Sequence, residues 1–230
     1  MYRERPAAVP GAVVWHGAAP DGAPPRDHRV LPDGSMDLIW LDGRLVVAGP
    51  DTTAQLGAWP AGSGVTGLRF APGTAPHVLG VPADALTDQR VPLADLWPAR
   101  TVRRLTGRVA GAAAPGAELE RIAADRLAGA GPFDAFPAAV VGPLRRGAAV
   151  GAVARAAGLS ERQLRRRFHR AFGYGPKTLA RILRMGRALD LARAGAPLAG
   201  AAAAAGYADQ AHMAREVRAL AGVPPTALLR

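Results

Sequence analysis

The last third of the chain repeats itself, and this repeat limits the fold more than any other feature. Ala154-x3-Gly158 recurs as Ala202-x3-Gly206, an offset of 48 residues. Past each glycine, Leu164, Arg166, Phe168, Gly173 and Pro176 recur as Met213, Arg215, Val217, Gly222 and Pro225. That offset is 49, so the second turn is one residue longer. Glycine supplies a left-handed turn residue at no steric cost, and Ser160 is a good N-cap for the helix after the first turn. A short helix, a glycine turn and a second helix make the helix-turn-helix pattern. The spacing predicts helices over 148–157, 161–172, 177–194, 199–205 and 209–221.

The faces of the helix at 161–172 separate by chemistry. At a helical turn of about 100° per residue, Leu164, Phe168, Ala171 and Phe172 fall on one side. Arg162, Arg166 and His169 point the opposite way, flanked by Arg165 and Arg170, with Arg167 nearer the apolar side. The planar arginine fork donates two hydrogen bonds to guanine O6 and N7 and also clamps phosphates. A solvated basic face on an ordinary bundle is the plain alternative, and the repeat argues against it. The second copy offers Gln210, Ala211, His212, Ala214 and Arg215. Gln can read adenine, Ala can touch a thymine methyl, and Arg215 can take guanine or phosphate. Glu216 would repel phosphate if it faced DNA, so a helix that only helps fold the domain is a competing reading here. The helix at 177–194 spans about 27 Å at 1.5 Å per residue. The two reading helices would then sit on the order of one DNA turn apart, about 34 Å, in successive major grooves.

Charge follows the same division. Residues 1–144 carry 13 Arg against 14 Asp and Glu, a net of −1, whereas 145–230 carry 16 Arg and Lys against 4 acidic residues, a net of +12. A basic segment of this kind points to a polyanionic partner. The chain has no cysteine, which excludes disulfides, thiolate metal sites and Cys nucleophiles. No apolar run approaches the ~20 residues that span a bilayer, and residues 1–6 show no secretory leader. The expectation is a cytoplasmic protein with no membrane partner.

The first hundred residues read as β-rich. Met36–Leu41 and Arg44–Ala48 are predicted strands joined by Asp42-Gly43, a strong hairpin signal because a type I′ turn needs positive φ at both central residues. Val65–Phe70 and His77–Val81 are further predicted strands. Leu93–Ala113 and Glu118–Ala130 turn helical, with Leu119, Ile122, Ala123 and Leu127 on one face. Residues 133–145, with Pro137 and Pro143, predict a short irregular helix. The fold class expected is α+β: a β-rich barrel- or sandwich-like domain with terminal helices over 1–130, then an all-α domain over 131–230. Within the latter, the first helix-turn-helix covers about 148–173, the linker helix 177–194 and the second unit about 198–222.

Residues from about 148 to 230 resemble the DNA-binding domain of AraC/XylS-type transcription regulators. The motifs that carry this are Ala-x3-Gly158-Leu159-Ser160, Leu164-x-Arg166-x-Phe168, Gly173-Tyr174-Gly175-Pro176 and Gly206-Tyr207. The resemblance implies two helix-turn-helix units joined by a central helix, reading double-stranded DNA through Arg162, Arg165 and Arg166 in the first and Gln210, Ala211 and Arg215 in the second. Val217 stands where the family usually has Phe, and the scaffold helix of the second unit is nearly all Ala, which predicts a thinner core there. The stretch Val30-Leu31-Pro32-Asp33-Gly34-Ser35-Met36-Asp37-Leu38-Ile39-Trp40, with Ala48-Gly49-Pro50, resembles a variant of the sensor or dimerisation domain such regulators carry.

Trp15, His28, Trp40, Arg69 and His77 are candidates to line a small-molecule pocket there, each with a structural role as the commoner alternative. The expected partners are double-stranded DNA, a small-molecule effector and a second copy of the chain. No cofactor, metal or catalytic residue is expected, because the His and carboxylate residues lack ligand spacing. A sequence-specific activator or repressor is the leading reading. A nonspecific DNA-binding architectural protein and a barrel metalloenzyme fused to a basic helical domain are the competing ones.

Overall fold

The turn Asp42-Gly43 closes a β-hairpin, with φ of 48° and 74° at its two residues as a type I′ turn requires. This hairpin lies at the centre of the N-terminal half in the computed structural model, which describes residues 2–18, 27–58, 64–132 and 134–229. Eight strands are described: β1 (Tyr2–Pro6), β2 (Val13–Ala18), β3 (Asp27–Val30), β4 (Met36–Leu41), β5 (Arg44–Ala48), β6 (Gln55–Ala58), β7 (Gly64–Phe70) and β8 (Arg90–Pro92). Six form an antiparallel sheet in the order β1-β2-β7-β4-β5-β8, and β3 pairs with β6 as a separate ribbon.

Alternation sets the faces of the sheet. Val14, Leu38, Val47 and Leu68 are fully buried on one side. Against them pack α1 (Ala75–Leu79), α2 (Ala99–Ala110) and α3 (Pro115–Gly129), which supply Val78, Leu79, Leu105, Val109, Leu119 and Ile122 to the same core. His77–Val81 is a correction: most of this stretch lies in α1 rather than in a strand. Pro76 in the first turn and left-handed Gly80 at the end punctuate a helix, and they outweigh the local β-like run of apolar residues.

A second core begins at Phe136 and runs to the C-terminus. Its helices are α4 (Phe136–Arg145), α5 (Val150–Ala156), α6 (Glu161–Phe172), α7 (Pro176–Arg193), α8 (Leu198–Ala205), α9 (Gln210–Ala221) and α10 (Pro225–Leu228). The chain is thus α+β, a β-rich N-terminal part with helices followed by an all-α C-terminal part. No described helix is long and apolar enough to cross a membrane.

Candidate nucleic-acid interface

Two helix-turn-helix units form as the repeat requires. In the first, α5 leads through Gly158, with φ 61°, to Ser160. The Ser160 hydroxyl accepts from the Gln163 N–H, and the Gln163 side-chain oxygen accepts from the Ser160 N–H at 3.0 Å. This reciprocal capping box fixes where α6 begins, and left-handed Gly173 ends it. In the second unit α8 ends at Gly206, with φ 86°, and the Asp209 carboxylate accepts from the His212 N–H at 2.6 Å to cap α9. Gly222, with φ 76°, closes α9 as Gly173 closes α6.

Packing then sorts the side chains of α6. Leu164, Phe168 and Phe172 are buried in the second core. Arg162, Arg165, Arg166 and Arg170 are exposed, and His169 is half-buried. Arg167 is turned away from this face: it pairs with Asp134 at 2.9 Å and lies 4.1 Å over the Phe136 ring. Arg170 stands at the far end of the helix, beside a cleft of about 470 Å³ that also takes in His77, Asp134 and Arg167.

On α9, Gln210, Ala211 and Arg215 are exposed and Met213, Val217 and Leu220 are buried. Val217 is fully buried, and with Ala202 and Ala205 of α8 it forms the small-residue core of this unit. Glu216 does not face outward with Arg215. It accepts from Arg181 at 3.0 Å and from Arg184 at 2.5 Å, both on α7. Its charge is therefore neutralised inside the domain, which removes the repulsion it would otherwise exert on a phosphate. Arg218 is exposed on α9 as well. Sequence reasoning missed it, although the offset of 49 pairs it with His169.

Among the described N-terminal candidates, Trp15 and Arg69 meet at Asp37, whereas Trp40 and His77 lie elsewhere. The Trp15 indole donates to Asp37 at 2.5 Å, and Arg69 lies 3.5 Å from Asp37, 3.6 Å from Asp33 and 3.2 Å from Glu4. Gly67 makes room for the Trp15 ring on the adjacent strand. Trp40 packs on the other side of β4 against the first core, and His77 belongs to the cleft beside α6. His28 falls in β3, and its side chain lies outside the described residues. Among the described residues no three His, Cys, Asp or Glu side chains stand together as a metal site would need.

Burial pushes the Asp37 carboxyl up from 3.8 to about 6, with Asp33 adding to the effect and Arg69 and the Trp15 hydrogen bond opposing it. A raised carboxyl holds its proton more tightly in the folded chain than in the unfolded one. Its contribution to stability is therefore largest below pH 3.8, declines as pH rises to about 6, and is flat above. Asp37→Asn should flatten that slope; an unchanged dependence of the melting temperature over this window would show that Asp37 is not its source.

This fold and site place a helical domain with two helix-turn-helix units behind a β-rich part. Residues 153–230 match the model of a helix-turn-helix domain, and residues 12–92 match a domain of unknown function, DUF6597. The chain carries an AraC-type helix-turn-helix domain at its C-terminus. Its fold is similar to that of ToxT from Vibrio cholerae. An apo lysine-to-alanine variant of ToxT matches at 10% identity and TM-score 0.50, over 97% of this chain and 98% of that one. ToxT at 1.65 Å resolution matches at 9% and 0.50, over 99% and 97%. ToxT bound to (E)-4-(8-methylnaphthalen-1-yl)but-3-enoic acid also matches at 9% and 0.50, over 99% and 98%. No curated protein matches the chain in sequence.

Proposed function

We propose that this chain is a sequence-specific transcription regulator, working in the cytoplasm, that reads two adjacent boxes of duplex DNA through α6 and α9. The observation that carries the reading is the repeated unit with one outward arginine at the same place in each copy, Arg166 and Arg215. Around them stand Arg162 and Arg165 on α6, and Gln210, Ala211 and Arg218 on α9. Among the described residues none of these arginines is paired with a carboxylate, so their guanidinium groups remain available to base edges and phosphates. His169 and Arg170 extend the basic face toward the end of α6. We take 131–230 as the reading domain and 1–130 as the part through which a small molecule or a second copy acts on it. The acid held by ToxT in one of its structures supports an effector of that size, and the cleft beside Arg170 offers about 470 Å³ for one.

Selection of bound sequences from a random duplex pool tests the reading. Two boxes about one helical turn apart are the expected result; no enriched motif would leave a nonspecific binder. On the selected site, Arg166→Ala should cost about 1–3 kcal/mol and relax the preference at one position. Equal weakening on random DNA, measured at one salt concentration, would assign Arg166 to phosphate instead.

A further inference from the structure

The motif that distinguishes the N-terminal half meets the helical C-terminal half. Leu31 packs into the second core. A Cβ placed on Gly34 would lie 3.1 Å from the Leu179 side chain of α7. A Cβ on Gly173 would lie 2.6 Å from Pro50 and 2.5 Å from the Thr87 hydroxyl, so the backbone at the end of α6 sits directly on this surface. Tyr174, the next residue, is buried.

The polar contacts across this surface have a common target. The last four carbonyls of an α-helix lack partners within it. Just past the end of α6, the Thr87 hydroxyl donates to the carbonyl of left-handed Gly173 at 2.9 Å, with the Ala83 carbonyl a more distant alternative at 3.4 Å. At α9, the Ala54 N–H donates to the Leu220 carbonyl at 2.7 Å, and Arg29 donates to the Ala221 carbonyl at 2.6 Å. The Arg29 charge also sits at the negative end of the α9 dipole. Gly173 and Gly222 are repeat-related positions. The N-terminal half thus grips both reading helices at their C-terminal ends, one through the loops beside Pro50 and Thr87, the other through Arg29 of β3 and Ala54 just before β6.

We propose that Arg29 and Thr87 are positioning residues for DNA recognition: by holding the C-terminal ends of α6 and α9 they set the separation at which the two helices meet the duplex. Within the C-terminal half, both helices pack on α7. A second tie on a different side turns a hinged pair into a braced one. The inference rests on the two-box reading above.

The test uses the full chain and the selected site with one base pair inserted or deleted between the boxes. Such a change rotates one box by roughly 34° relative to the other. The wild-type chain should lose about tenfold in affinity or more, equivalent to ~1.4 kcal/mol. Arg29→Ala with Thr87→Val should cut that penalty to about threefold or less, because the unbraced helices adjust. Arg29→Lys with Thr87→Ser keeps both donors and should restore the wild-type penalty. The single substitutions are read the same way, so loss of folding in the double variant does not decide the matter. A full penalty in Arg29→Ala/Thr87→Val overturns the inference and leaves the two-box reading standing. No penalty in the wild-type chain overturns the two-box reading, and the inference with it.

Discussion

Phe168→Ala is expected to lower the stability of the folded chain by about 3–5 kcal/mol, the range for truncating a buried aromatic. Phe168 has no exposed surface. Its ring meets Phe136 edge-on, centroids 5.6 Å apart at 87°, and lies 5.1 Å from Phe172. Such aromatic pairs add roughly 0.5–1.5 kcal/mol beyond burial, and here they join α4 to the middle and the C-terminal end of the α6 apolar stripe. For a chain of this length the midpoint should fall on the order of 10 °C. Arg166 lies on the other face of the same helix, so the molecules that remain folded should keep their sequence preference. Calorimetry checks the first point and competition binding the second. An unaltered midpoint would remove Phe168 from the core and with it the assignment of the α6 faces.

Gly49→Ala is the second large effect. Gly49 follows β5, and its N–H donates to the Gln89 carbonyl at 2.9 Å. A Cβ on it would fall on the Leu86 carbonyl oxygen. That obstacle is backbone and cannot rotate aside, so the β5 end and the 86–89 loop would have to part. The cost belongs at the top of the roughly 1–3 kcal/mol range for overpacking. The same loop carries Thr87, so amide exchange should quicken at residues 86–89 and at the end of α6 together. Normal melting of this variant would mean that the two segments do not approach as closely as described.

Local chemistry made much of the C-terminal domain legible. Ser160, Gly173, Gly206 and Gly222 act within their own turns, so the helix ends they set could be read from neighbouring residues. The hydrophobic period gave the buried face of α6 for the same reason. His77–Val81 misled because five residues are too few for a period to emerge, and the decisive signals, Pro76 and Gly80, flank the run. Pro143 suggested an irregular helix at 133–145. The helix α4 nevertheless runs through it, since Phe136, Val140 and Leu144 all gain from burial on one side. The pairing of Glu216 with α7, and the grip of Arg29 on a carbonyl 192 residues away, depend on how distant segments pack. No window of sequence contains both partners of such contacts. The candidate readers themselves were visible from the repeat, and Arg218 would have been found by carrying the offset one turn further.

The pairing of α7 with Glu216 also bears on how salt will act. A cation that neutralises phosphate displaces condensed counterions, and log K falls by about 0.9 per phosphate for each unit of log salt concentration. Arg167, Arg181, Arg184 and Arg193 already face carboxylates within the protein. Of the sixteen basic residues in 145–230 these four meet three carboxylates; Glu216 and Asp190 are already subtracted in the net +12, and Asp134 lies outside the segment. The ions released on binding should therefore number well below sixteen and should trace to α6 and α9, so that the thermodynamic footprint on the polyelectrolyte is narrower than the basic composition implies.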